Sequence, residues 1–306
     1  MSAAFTPRTV EVADGVYAYI QPDGGWMLNN TGFIVGGSGV IGIDSCATER
    51  RTRAYLAAIA AVTPHAVHTL VNTHHHGDHT FGNFLFPGAT IVGHEHCRAG
   101  VLAFGAPRNR GIWTEVEWGR FEMAPPFLTY TTGITLWSDE LRCDVRYVGT
   151  PAHTGNDSIV HIPERDVLFV GDLVFSGGTP FALMGSISGT IEVLEQVIRP
   201  LGARTIVAGH GAVCGPEAIE ESLAYLRFVQ EAARRGREAG LTPLAAAREI
   251  DLGEFAGLRE AERIVGNLHR AYAELDGVER GARLDTEAAL REMVAYNDGR
   301  RLTCDA

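Results

Sequence analysis

Four β-like runs in this chain each hand over to a loop carrying histidine or aspartate, and that recurrence limits the folds open to it. The runs are AVHTLVNT, VRYVG, VLFVG and TIVAG. Behind the first stands NTHHHGDH, with His74, His75, His76, Asp78 and His79; behind the others stand His153, Asp172 and His210. A strand interior offers packing, whereas the loop after a strand can aim several side chains at one point. No metal site closes on the eight-residue cluster alone, so the distant groups are needed to complete one.

The rest of the chain supplies the scaffold. The pieces TVEVADGVYAYI, TGFIVGG and GVIGIDS alternate in β-like fashion, with Gly-rich joints that suit hairpins. Thr48 to Ala61 reads as a helix capped by Thr48, and His94 to Phe104 as another. Gly105 to Pro126, bearing Trp113 and Trp118, reads as a long excursion of the kind that borders a site. Strands resume with GITLW, VRYVG, DSIVHI and DVLFVGD, a helix is expected over Thr190 to Ile198, and RTIVAGHG is the last strand. After Pro216 the patterns are helical: EAIEESLAYLRFVQEAARRGREAG, GLREAERIVGNLHRAYAEL and TEAALREMVAYN. Strands with helices among them and collected at the end imply a layered α/β fold.

Composition narrows the partners. With 26 Lys and Arg against 37 Asp and Glu, the formal charge is −11. Such a surface repels nucleic acid and anionic membranes, but bound metal ions can reverse the sign locally and admit an anionic small molecule. The five cysteines are scattered, so a reducing cytoplasm is expected in place of a disulfide framework. MSAAFTPRTVEVADG lacks the apolar run of a signal peptide, and no later segment reads as a membrane span. A small-molecule substrate is the expected partner; a homo-oligomer is left open.

Zinc takes His nitrogen and carboxylate oxygen in sites of about four ligands, and a catalytic zinc keeps one position for water. The groups here exceed what one ion needs and suit two ions sharing a bridge. The pattern His-x-His-x-Asp-His at His74, His76, Asp78 and His79, followed by His153, Asp172 and His210, resembles the metallo-β-lactamase superfamily over roughly Val10 to Gly215. The resemblance implies a four-layer αββα sandwich with a helical C-terminal extension: a catalytic domain over 1–215, and a helical region over 216–306 that packs on it or extends it. It also implies one ion on His74, His76 and His153, a second on Asp78, His79 and His210, and Asp172 bridging both. Two zinc ions are expected, though manganese and iron(II) use the same donors. His76, Asp78 and Asp172 are the expected catalytic groups. Asp44, ending GVIGID, would lie beneath the centre, bracing a ligand or fixing a turn.

Other histidines have weaker claims. His75 occupies the variable position of the motif. His94 and His96 spell a second His-x-His but open a helix and lack a following Asp-His. His65, His68, His161 and His269 have no ligand company, and Cys214 reads as structural.

Water deprotonated between two metals would attack a carbonyl, and an ester, thioester or lactone could expel its leaving group without a strong acid. An amide would need one, for which Asp78 is the candidate. LVFSGGTPFALMGSISG, QPDGGWMLNN and the tryptophan-bearing excursion could wall an apolar pocket. The tail lacks the basic pattern expected of a clamp for glutathione. Alternatives are an aromatic polyketide cyclase or thioesterase acting on an acyl-carrier-bound chain, suggested by NNTGFIVG, SCATERRTR and the tail; a β-lactamase-like amide hydrolase; and a non-enzymatic metal-stabilised binding domain.

Overall fold

Alternation along the strands decides the layering. The computed structural model describes residues 6–306. Its first sheet holds β1 (Arg8–Ala13), β2 (Val16–Ile20), β3 (Thr31–Gly36), β4 (Gly39–Ile43), β5 (Val67–Val71), β6 (Thr90–His94) and β7 (Leu128–Tyr130), side by side in that order. The second runs β12-β11-β10-β9-β8, from β8 (Gly133–Ser138), β9 (Leu141–Tyr147), β10 (Ser158–Ile162), β11 (Val167–Ser176) and β12 (Thr205–Gly211). Val16, Ala18, Ile20 and Ile34 face inward and meet Val160, Ile162, Val167 and Phe169 between the sheets. The intervening Tyr19 and Phe33 point the other way, onto a helix layer. Slipping β2 by one residue would expel its inward set at about 1.5–3 kcal/mol for each large aliphatic side chain. The register is therefore fixed.

Helices α1 (Glu49–Val62), α2 (Gly77–Thr80) and α3 (Glu95–Phe104) belong to the first half. Thr48 caps α1 by accepting from Arg51 N at 3.3 Å, and Tyr55 and Ile59 of α1 pack on Phe33 and Leu70. Helices α4 (Ile187–Val193), α5 (Glu217–Glu238), α6 (Pro243–Glu249), α7 (Arg263–Leu275) and α8 (Thr286–Tyr296) come after it. Leu168 and Val170, on the outer face of β11, pack with Leu223 and Leu268 from α5 and α7. The order is thus helix, sheet, sheet, helix. The same outer cluster contains Trp26 and Leu302, so residues before and after position 215 share one core.

Three local expectations need correction. The helix expected from Thr190 starts at Ile187, because Ser186 caps it by accepting from Gly189 N at 2.8 Å, and it ends in a π-helical turn over Leu194–Ile198. The GLREAER stretch becomes helical only at Arg263. The short α6, opened by Thr242 and Pro243, was not anticipated. Residues 105–126 form no helix or strand, as expected, and Trp113 pairs there with Leu302. Among the described residues no helix is long and apolar enough to cross a membrane.

Candidate metal centre

The four segments converge on one point, although β11 runs on past Asp172 to Ser176, where a strand end was expected at Gly171. After β5, the backbone turns sharply through Asn72 to His76 into α2, which delivers His74, His76, Asp78 and His79. His153 stands on the loop between β9 and β10, which Asp157 ties by accepting from Thr154 N and Thr154 Oγ1, both at 2.7 Å. Asp172 lies within β11 where its register with β12 slips on both sides, so its side chain leaves the regular ladder. His210 is near the end of β12. Asn30 holds that end by donating to Ala208 O at 2.9 Å and Gly211 O at 2.8 Å.

Two groups of donors result. Potential ligand atoms of His74, His76, His153 and Asp172 all lie within 4.8 Å of one another, as do those of Asp78, His79 and His210. Asp172 touches both groups. Its Oδ2 is 3.3 Å from His153 Nε2 and 3.4 Å from His210 Nε2, and its Oδ1 is 3.1 Å from His79 Nε2. Asp78 Oδ2 is 3.3 Å from His210 Nε2. Gly209 is required here: a Cβ would stand 2.0 Å from Asp172 Oδ1.

The outer nitrogens show what the inner ones are for. His153 Nδ1 donates to Phe181 O at 2.5 Å, and His210 Nδ1 to Gly24 O at 3.1 Å. His79 Nδ1 donates to Asp44 Oδ2 at 2.8 Å. His74 Nδ1 is 3.1 Å from Thr73 Oγ1, which itself donates to Asp44 Oδ2 at 2.7 Å. In these four rings Nδ1 is turned to an oxygen partner, so Nε2 is the nitrogen aimed inward, the arrangement a metal ligand needs. His76 presents Nδ1 instead, 2.9 Å from His153 Nε2. Two lone pairs that close require a proton or cation between them. His74 Nε2 is buried without a partner, and the buried His79 Nε2 and Asp172 Oδ1 have only each other, at 3.1 Å. Unsatisfied buried polar atoms are costly, and their convergence fits divalent ions.

The electrostatics are uneven. Burial, helped by neighbouring imidazoles, holds His74 and His76 well below the usual imidazole range. Burial also opposes charge on His210 and His79, but Asp172 chiefly, with Asp78, overrides it, raising His79 well above that range and His210 to about 9. Asp44 also raises His79. Burial disfavours charge on Asp172 too, yet His210, His79 and His153 hold its carboxyl well below its usual value.

The remaining candidates fall outside the clusters. Asp44, buried at a positive φ of 59°, accepts from Thr73 N at 2.8 Å as well as bracing His79. His75 Nδ1 accepts from Asn156 Nδ2 at 2.9 Å, and burial pushes its imidazole down to about 4. His94 caps α3 and its Nε2 donates to Thr131 O at 2.9 Å, while the His96 side chain is exposed. Cys214 Sγ meets Ile206 O at 3.5 Å.

A chamber of about 110 Å³ opens beside the donors. Its walls include Trp26, Met27, Trp113, Phe175, Phe181 and Met184, drawn from the three segments expected to wall a pocket. Arg263 was not anticipated. It is buried from α7, pairs with Glu260, donates to Thr179 O at 2.9 Å and stacks its guanidinium 4.3 Å from the Trp26 ring centroid and 4.7 Å from that of Phe175. Phe175 in turn stacks on the His210 ring at 5.3 Å. Helical periodicity put Arg263 on a helix but carried no signal that this face meets the site.

The family model described as "Metallo-beta-lactamase superfamily" matches residues 24–210. The hydroxyacylglutathione hydrolase of Rhodospirillum rubrum is 28% identical over 191 residues, covering 61% of this chain and 64% of that protein. That of Brucella ovis is 25% identical over 144 residues, 46% of this chain and 47% of that protein. The chain therefore spans between about half and under two thirds of the length of these curated relatives. Among solved structures, the metallo-beta-lactamase from Pontibacter korlensis aligns with a TM-score of 0.58 at 19% identity, covering 72% of this chain and 99% of that one. The structure of TMB-1 aligns with a TM-score of 0.58 at 18% identity, covering 72% and 97%. At such identities the structural likeness speaks for the fold alone.

Proposed function

We propose, from the chain's membership of the metallo-beta-lactamase superfamily, that it is a metal-dependent hydrolase working with two divalent ions, zinc first, on an ester, thioester or lactone of a small molecule. The observation that carries the reading is Asp172, whose two oxygens reach donors of both clusters. His74, His76 and His153 would hold one ion, and Asp78, His79 and His210 the other. Ions bound there would acidify a water and polarise the scissile carbonyl. Asp78, beside His210 and lining the chamber, orients the attacking water and takes its proton. Arg263 and the aromatic walls confine the acyl part and exclude bulk water.

Among the described residues lining the chamber, the only carboxylates are Asp78 and Asp172, both engaged with the donor histidines. No separate acid waits for an amine leaving group, which favours oxygen and sulfur leaving groups over amides. The relatives named hydroxyacylglutathione hydrolases support placing thioesters first.

The test is to strip the protein with a chelator, reload it with zinc, manganese or iron(II), count bound ions by mass spectrometry and assay aryl esters, thioesters, lactones and a β-lactam. We expect two ions per chain and turnover of thioesters or esters that tracks ion content. A fully loaded protein that cleaves none of the panel would overturn the reading.

A further inference from the structure

The inner chamber continues outward into a wider vestibule, open to solvent and of about 460 Å³. The two share Met27, Phe104, Trp113, Met184, Thr286 and Leu290 as a common apolar neck. Beyond the neck the character reverses. The vestibule is lined by Arg108, Arg110, Arg270 and Arg283 against a single acid, Glu287. That acid is already held by Arg110 at 3.0 Å and Arg291 at 2.8 Å. Arg108 and Arg283 are exposed and form no ion pair among the described residues.

Arg270 is the stronger indication. It is 1% exposed, yet no carboxylate bonds to it. Its Nε and Nη2 donate to Leu183 O at 3.0 and 2.8 Å, and Nη2 also to Ala282 O at 2.8 Å. Its Nη1 is buried without an acceptor. An uncompensated buried guanidinium is expensive. Here it pins the 281–284 loop that carries Arg283 and adds positive potential to the vestibule. In a chain of formal charge −11, a local surplus of cations at the mouth of an apolar chamber is a selective feature, because such a cleft concentrates anions.

We propose that the vestibule is an anion subsite, with Arg108 and Arg283 gripping a carboxylate or phosphate at the far end of the substrate's leaving group. The substrate is then amphiphilic, with an apolar acyl part in the inner chamber and an anionic tail outside the neck. In the reaction, water supplies hydroxyl to the acyl carbon, the acyl–sulfur or acyl–oxygen bond breaks, and the leaving thiol or alcohol takes the proton. This deepens the hydrolase reading and depends on it for its kinetic consequences, though not for binding.

Thioesters of one aryl acyl group with three thiols test it: neutral N-acetylcysteamine, mercaptopropionate and phosphopantetheine. In the Arg108→Ala, Arg283→Ala double variant, kcat/KM for one or both anionic substrates is expected to fall about tenfold through KM, while the neutral one changes less than about twofold. The carboxylate and phosphate arms identify which anion is taken. Calorimetry with the S-methyl ethers of the same thiols, on metal-loaded protein, gives a readout free of turnover. Arginine-dependent binding of an anionic ether with no thioester cleaved would sink the hydrolase reading and leave the subsite standing. A double variant that binds the anionic ethers as well as the parent does, or that loses neutral and anionic substrates alike, overturns the subsite.

Discussion

The floor of the groove and its outer wall are built on different principles. Four of the seven donors on the floor are held by hydrogen bonds to backbone and to buried polar groups: His153 to Phe181 O, His210 to Gly24 O, His79 to Asp44 and His74 to Thr73. The wall is made of Trp26, Trp113, Phe175, Phe181, Arg263 and Leu290, held by packing and by a buried ion pair from the tail. Directional bonds fix a donor to the accuracy that metal coordination demands. Packing tolerates exchange of side chains of similar volume. The floor therefore sets the chemistry, and the wall can be retuned for the substrate without disturbing it.

The largest effect that separates the two is expected at Asp172. Asp172→Ala removes the one carboxylate that meets both clusters, so both ions should be lost and kcat/KM should fall about a thousandfold or more. Metal analysis beside the assay checks it, and two retained ions with near-parent turnover would break the division at its root. Asp44→Asn comes next. The side chain no longer offers His79 Nδ1 a charged acceptor, so affinity of the Asp78, His79 and His210 cluster should drop by about 10- to 100-fold, with the other cluster less affected. Chelator competition read for each ion separately tells the difference, and equal loss from both clusters would count against it.

Much of the floor was legible because donor chemistry is written in residue type. Histidine and aspartate after β-like runs marked four places to look, while the ligand set of seven and the place of Asp44 came with the family resemblance. The layering came with the family resemblance, because the near-continuous apolar runs of β2, β3 and β11 carry no polar alternation to show which face each side chain takes. What stayed hidden is whatever depends on long-range approach. Arg263 and Arg270 look like ordinary cations of amphipathic helices, and only the packing of α7 among α4, α5, α6 and α8 buries them. Gly209 reads as one more residue of the last strand until Asp172 is seen beside its Cα. Ser186 was lost among Gly and Ser because a cap is recognised by the helix it begins.

On the wall, Arg263→Met should cost stability while leaving the ions in place. Removing the guanidinium strands Glu260 in a buried position, a loss of about 3 kcal/mol on breaking one side of a buried pair. Glu260→Gln in the same chain should recover part of it, since the stranded charge is gone. Denaturant unfolding of the four members of that cycle measures the coupling. Loss of metal from Arg263→Met at full folding would mean that wall and floor are one unit, linked through the Phe175 ring that touches both Arg263 and His210.

The smallest effect is the sharpest contrast, because it concerns the same letters. His94-x-His96 and His74-x-His76 share a spelling, and spacing cannot tell them apart. The difference lies in the path of the chain beyond each pair. After His76 it turns into α2 and presents Asp78 and His79 to the same point, whereas after His94 it enters α3 and points His96 at solvent. His94 spends its ring on Thr131 O and on capping His96 N, and stacks on Tyr147 at 4.2 Å. His96→Ala should therefore change stability by no more than about 0.5 kcal/mol, and His94→Ala should lose about 1 kcal/mol for its buried hydrogen bond. Both should keep full ion content and activity. A metal deficit in either would show that the second motif feeds the centre after all, and that two copies of one spelling were never distinguished by the fold.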